Sequence, residues 1–178
     1  MKKKRISKEE YYMNIAKEVA SRATCFRMHH GAIIVNDDQI IATGYNGAPR
    51  KTKDCLERNN CVRNELGILS GQRYEICRSV HSEQNAIINA ARSGASLLDG
   101  TMYLYSVKID EKGNEISFDA YPCFICKKMI INSGIKYLVT HQSDGKLKKY
   151  EIKKWAEDWT KKDLIDDKQQ YGVKTVKN

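Results

Sequence analysis

Two short motifs, far apart in the chain, place the tightest demand on how it can fold. His81-Ser82-Glu83 stands just before one apolar-periodic run. Pro122-Cys123-Phe124-Ile125-Cys126 stands before another, with 41 residues between His81 and Cys123. One imidazole and two thiols suit a tetrahedral Zn²⁺ whose fourth position is left for water. A fold that uses this pattern must bring two helix N-termini to one point. The partial positive charge of those termini favours thiolates at Cys123 and Cys126. Pro122 fits just ahead of a first turn, where a missing N–H costs little. Three protein ligands rather than four predict a catalytic metal. Glu83, two residues beyond His81, can reach the water without ligating the metal and relay its proton. The competing reading is a structural CxxC knuckle with a chance HxE upstream. The agreement of Pro122, both thiols, HxE and two helix starts favours the catalytic one.

The rest of the chain supplies a frame for these motifs. Ser7 with Glu10 reads as a capping box, opening a helix over 8–24 with Tyr12, Ile15, Ala16, Val19 and Ala23 near helical spacing. Ala32–Val35 and Ile40–Tyr45 read as strands joined at Asn36-Asp37-Asp38, the second closed by Asn46-Gly47. Residues 48–79 are polar and aperiodic, a cysteine-containing insertion that needs something other than a core to hold it. A helix is expected over 82–93, stopped by Gly94, then a strand over 102–107. A turn at 111–114 makes 104–120 a β-arm. A helix over 124–133, a strand over 136–140, a polar helix over about 148–160 and a last strand at 173–176 complete the reading. This alternation predicts a layered α/β sandwich, one domain across 1–178.

No apolar run approaches the ~20 residues of a membrane helix. The start, Met1 to Arg5, is basic without the apolar stretch of a secretory signal, so a cytoplasmic, membrane-free protein is expected. The net charge of +9 suits an anionic partner, although much of the excess lies near the two ends. Six cysteines in such a chain read as metal ligands or catalytic thiols before disulfides.

H-x-E followed by P-C-x-x-C is the signature of zinc nucleobase deaminases. HSEQNAI at 81–87, GYNGAP at 44–49 and PCFICKKMIINSGI at 122–135 resemble the deoxycytidylate (dCMP) deaminase family of the cytidine deaminase superfamily, nearest its late-competence-type bacterial and phage members. The resemblance runs from about Tyr11 to Thr140. It implies a three-layer αβα sandwich around a mixed five-stranded sheet. It implies hydrolysis of dCMP to dUMP and ammonia, which feeds thymidylate synthesis. It also implies a homo-oligomer, often a hexamer, activated by dCTP carried with Mg²⁺ and inhibited by dTTP. Carried over residue by residue, His81, Cys123 and Cys126 match the zinc ligands and Glu83 the proton-shuttling acid/base. Asn46 matches the sugar contact, Gly31-Ala32 the backbone facing the pyrimidine, and Gly44, Tyr45, Asn46 and Gly47 the region that binds the regulatory triphosphate. Water attacks C4, and Glu83 passes its proton to N3 and then to the departing amino group. A monophosphate also needs cationic donors; Arg22 and Arg27 are candidates, with plain surface charges as the alternative. The chain departs from the family in its longer arm between Tyr105 and Pro122 and in the loop after Thr140, where Tyr150 is a further phosphate candidate. His29, His30 and His141 read as surface or packing residues.

Cys25, Cys55, Cys61 and Cys77 form a second group. Some members of the resembled family hold a structural zinc with ligands in these regions. Four thiolates would close a tetrahedral site and tie the insertion to the first helix. A Cys55–Cys61 disulfide, which a reducing cytosol opposes, and free buried thiols are the alternatives. Two other functions keep part of the pattern. A tRNA or single-stranded nucleic-acid deaminase is favoured by the basic charge and opposed by GYNG and the extra cysteines. A zinc-stabilised nucleic-acid-binding module is opposed by Glu83, for which it has no use.

Overall fold

The computed structural model describes residues 5–161, organised around one mixed sheet. Helix α1 (Lys8–Ala20) begins at the capping box: Ser7 Oγ accepts from Glu10 N at 3.1 Å, and the Ser7 N–H donates to Glu10 Oε2 at 2.9 Å. Strands β1 (Met28–Asn36) and β2 (Gln39–Tyr45) form an antiparallel hairpin. Its turn places Asp37 and Asp38 at φ +46° and +62°, the left-handed pair that matches strand twist. Two one-turn helices follow, α2 (Cys55–Arg58) and α3 (Val62–Glu65), then a 3₁₀ turn at Tyr74–Ile76. Beyond them come α4 (Ser82–Ser93), β3 (Thr101–Ile109), β4 (Glu115–Ser117), α5 (Phe124–Asn132), β5 (Tyr137–His141), β6 (Leu147–Glu151) and α6 (Ile152–Lys161).

The strand order is β2-β1-β3-β5-β6, with β4 pairing back onto β3; β3 and β5 run parallel and the other pairs antiparallel. Side-chain alternation splits β1 between two cores. Ile33 and Val35 pack with Tyr12, Met13 and Ala16 of α1 on one face. Ala32 and Ile34 pack with Ala86, Ala90 and Ile130 of α4 and α5 on the other. The result is three layers, αβα. Burial of Ile34, Met102, Leu104 and Leu138 to 1% exposure or less contributes about 1.5–3 kcal/mol each.

The sheet has six strands rather than five: β4 in the expected arm pairs back onto β3, and a strand stands within the helix expected at 148–160. The expected helix over 148–160 gives way to strand β6 before α6 begins at Ile152. Leu147-Lys148-Lys149-Tyr150-Glu151 pairs along the free edge of β5, where lysines suit an exposed strand. Ile152 and Trp155 then turn inward as the buried face of α6. Asn46-Gly47 follows the end of β2, and Gly47, outside the positive-φ region, bridges Val80. The expected strand at 173–176 lies outside the described residues. Among the described residues no helix is long and apolar enough to cross a membrane.

Candidate active site

His81 is the N-cap of α4 and Cys123 the N-cap of α5, so two helix starts meet as the motif spacing required. Helix α4 is held against β2 by its own amides: Asn85 Nδ2 donates to Tyr45 O and Asn89 Nδ2 to Thr43 O, both at 2.7 Å. Close approach also needs Gly44, where a Cβ would stand 2.3 Å from Ser82 O and from Ala86 N. The His81 ring therefore projects at a fixed height. Its Nδ1 lies 3.4 Å from Cys123 Sγ and 3.4 Å from Cys126 Sγ. All three donor atoms fall within 4.8 Å of one another. An imidazole and two thiols this close fit Zn²⁺ with a position to spare.

The three donors shift one another electrostatically. The Cys126 thiol beside it holds Cys123 down to about 5, against burial and with help from His81. Cys126 itself is pushed up by that neighbour and by burial. Burial works against a charge on His81, yet Cys123 and Glu83 outweigh it and raise its pKa. Glu83 lies in the first turn of α4, 5% exposed, and its Oε2 accepts from Ser82 Oγ at 2.9 Å.

His81, Glu83 and Cys123 line one cavity of about 340 Å³. Asn46 lines it too, but its side chain is committed to the frame: Oδ1 accepts from His30 N at 2.7 Å and Nδ2 donates to Met28 O at 2.9 Å. Phe118 and Tyr121, from the segment after β4, close part of the rim. Gly31 and Ala32 sit further along β1. Gly31 packs beneath α1, where a Cβ would stand 2.1 Å from Ala16 O, and Ala32 is fully buried in the core. Of the expected effector stretch, Gly44 lies under α4, Tyr45 is 37% exposed and Gly47 pairs with Val80. Arg22 is exposed at the surface; Arg27 lines the cavity and donates from Nη1 to Ile68 O at 2.9 Å. Tyr150 stacks with Tyr121 and Trp155 in the layer behind.

Cys25, Cys55, Cys61 and Cys77 line the same cavity, the first three buried. They are electrostatic neighbours: Cys25 feels Cys77 and Cys61, and Cys55 feels Cys25 and Cys61, although burial is the main force raising both thiols. Among the described residues, His81, Cys123 and Cys126 are the donors drawn into a tight cluster.

Three cavity residues stand outside the sequence-based set. His30 places Nδ1 2.6 Å from Ser106 Oγ, and burial, only partly offset by Glu83, lowers its pKa to about 4. Strand alternation carried the signal, since His30 is in phase with Ala32 and Ile34 on the α4 side. Tyr74 meets the His81 ring edge-on at 4.9 Å; burial and Cys123 push it up to about 12, so it stays a neutral phenol. Arg63 is buried in the insertion, where no periodicity pointed inward.

The family described as "Cytidine and deoxycytidylate deaminase zinc-binding region" matches residues 6–142. A deoxycytidylate deaminase of Schizosaccharomyces pombe is 32% identical over 78% of the chain, which spans 38% of that longer protein. One from Mycobacterium phage D29 is 32% identical over 74% of the chain and 91% of its own length. The crystal structure of cyanophage S-TIM5 dCMP deaminase with dCMP and dUMP superposes with a TM-score of 0.57 at 26% identity, covering 80% of this chain and 90% of that one. The chain belongs to the cytidine and deoxycytidylate deaminase family.

Proposed function

We propose that the chain hydrolyses dCMP to dUMP and ammonia. The observation that carries this reading is a buried carboxylate, Glu83, in one cavity with a His–Cys–Cys donor set. Relatives named deoxycytidylate deaminase, and a solved relative holding dCMP and dUMP, support the choice of substrate. His81, Cys123 and Cys126 would hold Zn²⁺, which when bound acidifies a water and stabilises charge developing on the pyrimidine. Glu83 takes a proton from the attacking water and delivers it to N3. A C4–O bond forms; Glu83 then takes the second proton from that C4 hydroxyl and gives it to the departing amino group, so that the C4–N4 bond breaks, ammonia leaves and a C4 carbonyl remains. Tyr74, Phe118 and Tyr121 narrow the cavity around the ring and keep bulk water away.

The proposal extends to a second Zn²⁺ on at least three of Cys25, Cys55, Cys61 and Cys77, supported by their all lining one cavity. It extends also to a cytoplasmic homo-oligomer, hexamer favoured, activated by Mg²⁺-dCTP and inhibited by dTTP, supported by family membership. The deciding experiment is ammonia release from dCMP, CMP, deoxycytidine, dCTP and an oligonucleotide, with and without dCTP and dTTP. dCMP is expected to be the preferred substrate. Zinc-loaded protein that turns over the oligonucleotide and not dCMP would overturn the reading.

A further inference from the structure

Arg63 is a buried cation with no counter-charge. It is 6% exposed, yet forms no ion pair among the described residues. Its guanidinium lies over the Tyr74 ring, 5.1 Å from the centroid, and Nη2 donates to Leu69 O at 2.8 Å. Its Nε is buried without any partner. Glu75 feels the charge of Arg63 but is paired with Arg73. Arg27, before β1, donates to the adjacent carbonyl, Ile68 O. Two guanidiniums thus hang on consecutive carbonyls of one loop, and both line the cavity that holds His81 and Glu83.

An unpaired buried charge costs several kcal/mol unless something compensates it, and an orphaned N–H adds to that cost. A ligand that brings negative charge and acceptor oxygens would remove both penalties. The planar guanidinium fork matches the oxygens of a phosphate monoester. We propose that Arg63, paired with Arg27, forms an anion subsite for the 5′-phosphate of a nucleoside monophosphate. The insertion, rather than the sheet, then sets the preference for nucleotide over nucleoside. This rests on the deaminase reading and names the group within it that selects the substrate.

The test is the ratio of kcat/KM for dCMP to that for deoxycytidine. Arg63→Leu should collapse this ratio by about 30- to 100-fold, the worth of a charged hydrogen bond. Arg63→Lys, which keeps charge and loses the fork, should collapse it less. If Arg63 is only a staple for the 68–71 loop, both substrates suffer equally; an unchanged ratio overturns the proposal. Should Arg63→Leu fail to fold, inorganic phosphate on wild-type enzyme at constant ionic strength replaces it. Phosphate should compete with dCMP and not with deoxycytidine, and absence of that difference overturns the subsite. If neither compound is deaminated, the deaminase reading fails on its own. Equilibrium binding of dUMP against deoxyuridine then decides the subsite: a nucleotide preference reduced in Arg63→Lys supports it, and one equal in both proteins overturns it.

Discussion

The β1–β3 ladder and the insertion at 48–79 face each other across one cavity, and they hold their residues in different ways. The ladder pairs Met28–Val35 with Thr101–Lys108 residue by residue and carries a core on each face. The insertion offers two one-turn helices, and its buried residues are Cys55, Cys61 and Arg63. Leu56, Leu66 and Leu69, which a core would use, are more than half exposed. A segment with thiols and a guanidinium inside, and leucines outside, does not hold itself by apolar burial. The site therefore divides. The groups that would hold the metal and move the proton stand at the starts of α4 and α5, which pack on the ladder's core, and those that would grip the rest of the substrate stand on a segment that needs another tie. Each experiment below separates the two walls.

The largest effect is expected on the rigid side. Glu83→Gln should lower kcat by at least 10²–10⁴-fold while the zinc content stays unchanged, because an amide cannot shuttle a proton. Near wild-type kcat in metal-loaded Glu83→Gln would place proton transfer elsewhere. Next, Gly44→Val should destabilise the fold by about 3 kcal/mol or more, since even a Cβ there meets backbone at 2.3 Å. The urea midpoint measures this. Gly67→Ala in the insertion, where a Cβ meets nothing within 4 Å, should cost far less, its φ of +63° being the remaining strain. Equal midpoint shifts for both would erase the distinction between the walls.

Cys55→Ser breaks the other wall. Metal analysis under reducing conditions should fall from about two zinc per chain to about one, and limited proteolysis should cut within 48–79 while the ladder survives. A wild-type content of one zinc would leave the insertion tied by Arg78, which grips Asn60 O and Oδ1 at 3.0 and 2.7 Å, and by Arg63.

The same division decided what could be read from the sequence. Helix starts at Ser7, His81 and Cys123 were legible because capping and ligand spacing are local signals. The Asp37-Asp38 turn was legible for the same reason. β6 was missed because Lys148 and Lys149 resemble a polar helix, and only the free edge of β5 makes a strand the better partner. Arg63 and Tyr74 were invisible because their burial is set by the fold of an aperiodic segment around them. Gly44 was matched to effector binding, while its missing Cβ answers a steric demand of α4 that no local pattern announces.

His30 gives the finest probe of the sheet's side of the cavity. Its pKa of about 4 lies below the ordinary 6.5 because burial disfavours the imidazolium, and Glu83 offsets this only in part. Below pH 6.5 the unfolded chain binds a proton there that the folded chain refuses. Stability therefore falls on acidification from about 6.5 to about 4 and levels off below that. The slope from this group is at most about 1.4 kcal/mol per pH unit. His30→Gln removes it. Groups that do not interact with His30 cancel, so the difference between the two proteins' urea-derived stabilities reports His30 together with its coupling to Glu83, His81 and His29. That difference should shift against the wild type as pH drops through this window. Ser106→Ala removes the hydroxyl 2.6 Å from Nδ1 and should change the intercept more than the slope, because burial rather than that bond sets the pKa. A stability difference between wild type and His30→Gln that stays flat from pH 7 to pH 4 would mean the ring is solvated, and the cavity wall at β1 more open than its packing against Ser106 and Phe118 implies.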